Sequence, residues 1–227
     1  MIILAIDTAA NLCAASVYDT TAGVELGRSM RDLGKGHAEH LMAVIEEALV
    51  SAGKAYPDLG AIAVSIGPGS FTGIRVGVSA ARGLALALGI PAIGVTTLEA
   101  LVFEARQGKP GRAILAALDG GRGEVHAALY AADGRELAPS AAMQIDAALD
   151  LCRKHDAVLI GSAADALNAA AGGSLDIAGP GATADIAAYA VLAAAKPLDG
   201  ARPVPLYLRS ADAKVQEGFA VAREVAT

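Results

Sequence analysis

The chain has 227 residues and a formal net charge of −6; that is length for one large domain or two small ones, without the cationic surplus of a protein that grips nucleic acid alone. Hydrophobic residues make up 54% but aromatics only 4%, with no Trp, so the core has to be built from Ile, Leu, Val and Ala. Mean hydropathy is +0.47, yet the apolar reach from Gly83 to Phe103 is broken by Gly89, Pro91, Gly94, Thr96, Thr97 and Glu99, which argues against a membrane span of about 20 mostly apolar residues.

In chain order, Ile2 to Ile6 is an apolar run that meets Asp7-Thr8, and it reads as a strand because no basic region or cleavage site accompanies it. Cys13 to Tyr18 and Val24 to Met30 follow as strands of an antiparallel meander. Leu41, Ile45, Ala48, Leu49 and Ala52 recur at helical spacing and predict a helix over 36–52, with Gly53 as its stop. Then come a strand over 61–66, a turn at Gly67-Pro68-Gly69, a helix from Ser70 or Phe71 to Leu88, a strand over 91–95 and a helix from Thr97 to about Ala105. Strand, helix, strand implies a parallel crossover. The second half opens near Lys109-Pro110-Gly111, with strands over 113–118, 124–130 and 157–160. Helices follow over 163–171 and 185–195, and Pro203 to Arg209 is an extended end segment. Both halves begin strand, Asp, turn, strand, at Asp7 and at Asp119, so the fold is expected to be α/β with two similar lobes, 1–108 and a smaller 109–227.

Candidate chemistry is sparse. Asp7 at a strand tip could orient a metal or water near a phosphate, but the turn Thr8-Ala9-Ala10-Asn11 lacks the glycine that lets backbone approach phosphate. A turn-forming Asp is the favoured reading. Gly67, Gly69 and Gly73 stand between strand and helix, without the Gly-Lys-Ser/Thr of a phosphate loop; Ser70 as N-cap explains them without a ligand. The helix after them is apolar nearly all round, with Arg75 and Arg82 marking a polar edge; it is expected to bury more than one face, against its own chain or a second subunit. His37 and His40, three apart with no third ligand in sight, read as surface or capping residues. Cys13 and Cys152 lack metal-ligand spacing and read as free thiols of a reducing cytosol. No nucleophile-and-base set supports a protease.

Taken together, Ile3-Leu4-Ala5-Ile6-Asp7-Thr8, Gly36-His37-Ala38-Glu39-His40-Leu41, Gly67-Pro68-Gly69-Ser70-Phe71-Thr72-Gly73-Ile74-Arg75-Val76-Gly77, the run Gly83 to Pro91, Asp119 with Gly123-Glu124-Val125, and Pro205-Leu206-Tyr207-Leu208-Arg209 resemble the TsaB (YeaZ) family. The resemblance is dense to about Leu101. It implies an actin-like, Hsp70-like ATPase (ASKHA) fold with a reduced second lobe. It also implies a cytoplasmic, non-catalytic partner of TsaD in making threonylcarbamoyladenosine beside the tRNA anticodon, with the small ATPase TsaE joining and homodimers forming on the same surface. By this resemblance tRNA is met only through the complex. There is no cofactor of its own, except ATP or ADP at the junction with TsaD, and no metal. The interface is expected to involve His37, Leu41, Ile45, Ile74, Val76, Ala80 and Leu84, and Asp7, Gly69, Ser70 and Asp119 lie nearest any nucleotide. An ATP-dependent transferase or kinase of the same superfamily is the alternative. Departures from the family pattern fall at Gly120-Gly121 and His126.

Overall fold

The computed structural model describes residues 1–198 and 201–208. The first half runs β1 (Ile2–Asp7), β2 (Leu12–Asp19), β3 (Val24–Asp32), α1 (His37–Ala52), β4 (Leu59–Ser65), α2 (Phe71–Leu88), β5 (Ala92–Val95) and α3 (Thr97–Gly108). The second half repeats that order: β6 (Ile114–Gly121), β7 (Glu124–Tyr130), β8 (Glu136–Gln144), α4 (Ile145–His155), β9 (Val158–Ile160), α5 (Ala164–Ala170), β10 (Ile177–Gly179) and α6 (Ile186–Ala194). The sheets run β3-β2-β1-β4-β5 and β8-β7-β6-β9-β10. In each, the first three strands are antiparallel and the crossovers to the last two are parallel. This duplicated topology is the two-lobed actin-like fold. The second lobe is reduced: α5 has 7 residues where α2 has 18. The sequence reading did not foresee β8, α4 or β10.

Strand alternation assigns the layers, since successive side chains point to opposite faces. Leu4 and Ile6 face one way and meet Ile45, Val44, Ile74 and Val78 of α1 and α2. Ile3 and Ala5 face the other way, into a core that also holds Leu98 and Leu101 of α3, Ala116 and Leu118 of β6, and Tyr189 and Ala190 of α6. The closing helices are exchanged between halves: α3 lies on β6, and α6 lies on β1 and β2. After α6 the chain returns to the first lobe, where the Leu206 amide donates to the Ile66 carbonyl at 2.8 Å. Arg209 of the expected end segment lies outside the described residues.

Of the faces of α2 expected to be buried, against its own chain or a second subunit, one is buried within the chain. By length and composition α2 could cross a bilayer, but its buried residues, Gly73, Ile74, Gly77, Val78, Ala81 and Ala85, form one stripe on β1 and β4. Val76, Ala80, Leu84 and Leu88 are half-buried beside it, while Phe71 is 48% and Leu86 81% exposed.

Candidate functional site

Two places gather the singled-out residues: a buried polar centre at the carboxyl ends of β1 and β4, and the outer side of α1 and α2. Asp7 ends β1 and is only 1% exposed. Its Oδ1 accepts from the Ala9 amide at 2.9 Å, two residues on, and its Oδ2 accepts from the Thr183 hydroxyl. Thr183 lies 2.7 Å from the hydroxyl of Tyr189, carried in by α6. Ser65 and Thr97 meet beside them at 3.2 Å. Burial pushes the Asp7 carboxyl above its ordinary range, against the opposing pull of Thr183, Ala9, Ser65 and nearby His37. Tyr189 is also pushed up, by burial and then by the charge of Asp7. The carboxyl is turned inward, where it fastens the β1–β2 turn to α6, the turn-forming role read from sequence.

The glycines of α2 press on the same turn. A Cβ at Gly73 would stand 3.2 Å from the carbonyl carbon of Thr8 and closer still to its oxygen; one at Gly77 would stand 2.5 Å from Thr8 Oγ1. Bare backbone is therefore what allows α2 to reach the turn. Two bonds fix it there, and a third caps the helix itself. The Ser70 amide donates to Ala9 at 2.7 Å, the Thr8 hydroxyl donates to Gly73 at 2.7 Å, and the Gly73 amide donates to the Ser70 hydroxyl at 3.2 Å. The last is the N-cap expected from sequence. α2 is thus seated directly on this turn. In the second lobe Asp119 repeats the arrangement, accepting from the Gly121 amide at 2.8 Å, but it is exposed. Gly69 and Ser70 are also exposed.

On the outer side, four of the expected interface residues are buried within the chain. His37, Ile45 and Ile74 are 6%, 0% and 1% exposed and pack into their own lobe; Leu41, 2% exposed, also lines the groove between α1 and α2. His37 is therefore no surface histidine either, and its Nε2 has no hydrogen-bond partner among the described residues. Val76, Ala80 and Leu84 are half-buried. Val76 and Ala80 line a groove of about 410 Å³ between α1 and α2, with Met42, Thr72 and Ser79. The sequence reading missed Met42 and Phe71, both exposed and apolar. They lie at the edges of the buried stripes of α1 and α2, seven residues before Leu49 and Val78, and are not buried with them. Among the described residues no group of three His, Cys, Asp or Glu could hold a metal.

Comparison with known proteins gives a consistent set. The family model for tRNA N6-adenosine threonylcarbamoyltransferase, TsaD, matches residues 31–195. The tRNA threonylcarbamoyladenosine biosynthesis protein TsaB of Escherichia coli is 37% identical over 134 residues, 59% of this chain and 56% of its own length. The TsaB of Buchnera aphidicola is 35% identical over 125 residues, 55% of this chain and 58% of its own length. The chain thus spans somewhat over half the length of these curated relatives. A crystal structure from Pseudomonas aeruginosa, of an uncharacterized protein with similarity to peptidase YEAZ, aligns with TM-score 0.71 at 24% identity, over 92% of this chain and 99% of that one.

Proposed function

The chain belongs to the TsaB (YeaZ) family, and on that premise we propose that it is the non-catalytic partner of TsaD in forming threonylcarbamoyladenosine in tRNA. The observation that carries this reading is the seating of α2 on the β1–β2 turn. The β1–β2 turn has no glycine of its own to let a phosphate approach, the glycine backbone of α2 and the Ser70 cap press on it, and Asp7 is bonded to Ala9 and Thr183. The same helix leaves its other side bare beside a groove. Under this reading no side chain is catalytic and no metal is held. TsaD docks along α1 and α2 through Val76, Ala80 and Leu84, and a second copy of the chain uses the same side in isolation. ATP or ADP sits at the junction with TsaD, near Gly69, Ser70 and Asp119. TsaE and tRNA are met through the complex, in the cytoplasm.

The test is to mix the purified chain with the TsaD homologue of its own organism and measure the mass of the product by light scattering. Association at micromolar concentration is expected, and its absence would sink the proposal. Val76→Glu places a charge in the groove wall and is expected to abolish assembly while the circular dichroism of the isolated chain is kept. Calorimetry with Mg-ATP addresses the alternative: tight binding with turnover by the isolated chain would favour an ATP-dependent transferase or kinase.

A further inference from the structure

The outer side of α2 carries one cation built into an aromatic clamp. Arg75 stacks its guanidinium over the Phe71 ring, 3.6 Å from the centroid, and lies 5.5 Å from the centroid of Tyr207. The two rings are themselves 5.1 Å apart. Arg75 Nε donates to the Tyr207 hydroxyl at 2.7 Å. The clamp joins elements 132 residues apart, because the returning end segment is pinned at Leu206 to Ile66. Such a clamp removes rotamer freedom from a side chain that otherwise has much to lose on binding.

Both terminal nitrogens, Nη1 and Nη2, are left without a partner among the described residues, and no described carboxylate pairs with Arg75. Arg75 also lines the α1–α2 groove, where it is the sole charged residue. A planar cation held still, with two parallel donors free and an apolar groove beside it, matches a carboxylate met in fork geometry.

We propose that Arg75, held by Phe71 and Tyr207, is the specificity point of this surface and takes an Asp or Glu side chain of the docked TsaD subunit. The inference rests on the functional reading above and names the chemistry of its contact. The apolar groove supplies area; the fixed guanidinium selects the partner and its register.

The experiment measures the affinity of the full chain for the TsaD homologue by calorimetry at low and high salt. Three variants are compared, Arg75→Lys, Arg75→Gln and Tyr207→Phe, after circular dichroism has shown each to be folded. Arg75→Gln is expected to weaken binding by roughly 10- to 100-fold and to remove most of the salt dependence. Arg75→Lys, which keeps the charge but loses the fork, is expected to recover only part of the loss. Tyr207→Phe, which frees the guanidinium, is expected to cost a few-fold. Wild-type affinity and an unchanged salt slope in Arg75→Gln would overturn the inference while leaving the functional reading intact. Failure of the wild-type chain to bind would overturn both. The chain's own carboxylates at Asp212, Glu217 and Glu224 are the competing source. If a chain ending at Leu208 binds more tightly and no longer responds to Arg75→Gln, the tail is the occupant and the inference falls.

Discussion

Two glycine-to-alanine substitutions in one helix are expected to have opposite signs. At Gly83 an added Cβ meets nothing within 4 Å, and the position is exposed in the interior of α2. There alanine gains only its helix preference, about 0.8–1 kcal/mol, which for a chain of this size raises Tm by roughly 2–4 °C. At Gly73 the same methyl runs into the Thr8 carbonyl, which cannot swing aside because it belongs to a turn held by the Ser70–Ala9 and Ala9–Asp7 bonds. Overpacking costs about 1–3 kcal/mol, more where backbone must move. With the clash at or above the top of that range, the helix gain still leaves a net loss of about 2 kcal/mol or more, or roughly 4–8 °C. Thermal unfolding of both variants by circular dichroism at one pH and concentration checks this. If Gly73→Ala is as stable as Gly83→Ala, α2 does not bear on the turn as described, and the support that this seating lends to the functional reading goes with it.

Asp7→Asn tests the polar centre. Because burial raises the carboxyl's pKa, the native fold prefers it protonated. Its contribution is full below the unfolded value of 3.8 and is lost as pH rises through the folded value. The variant should therefore be the more stable at pH 8 and no better at pH 3; a constant Tm difference across that range would count against it. Asp185 caps α6 by accepting from the Ala187 amide at 2.9 Å and also meets Arg28 at 2.8 Å. Removing both in Asp185→Ala should cost about 1–1.5 kcal/mol, mostly the cap because the ion pair is half exposed; a shift in Tm below 1 °C would refute that apportioning.

The elements that could be read from sequence are those whose pattern and punctuation agree. β1, β4 and α2 are framed by Asp7, the Gly67–Gly69 turn and Gly89, and each was placed within two residues. β8 could not be read so, because Pro139 and a run of alanines give an edge strand little β character. α4 is different, since Ile145, Ala148, Leu149 and Cys152 do recur at helical spacing. In the polar centre, Asp7 could be named alone but not with Thr183, 176 residues away, since nothing in spacing pairs them. On the outer face, helical periodicity found Leu41, Ile45 and Ile74 because burial creates periodicity. Residues that the period skips, such as Met42 and Arg75, stay exposed and leave no such pattern.

The exchange of α3 and α6 between the halves has a consequence for how the chain is made. The first sheet is complete once Val95 has emerged, but the helix covering Ile3, Ala5, Ala61 and Ala63 ends at Ala194. At the usual pace of synthesis that is roughly 5–20 s later. During that interval the nascent first lobe holds an apolar sheet face without its lid. Cutting the gene at the boundary between lobes would make that state permanent, so the two halves are not separable parts: the unit inherited, and the unit that folds, is the pair.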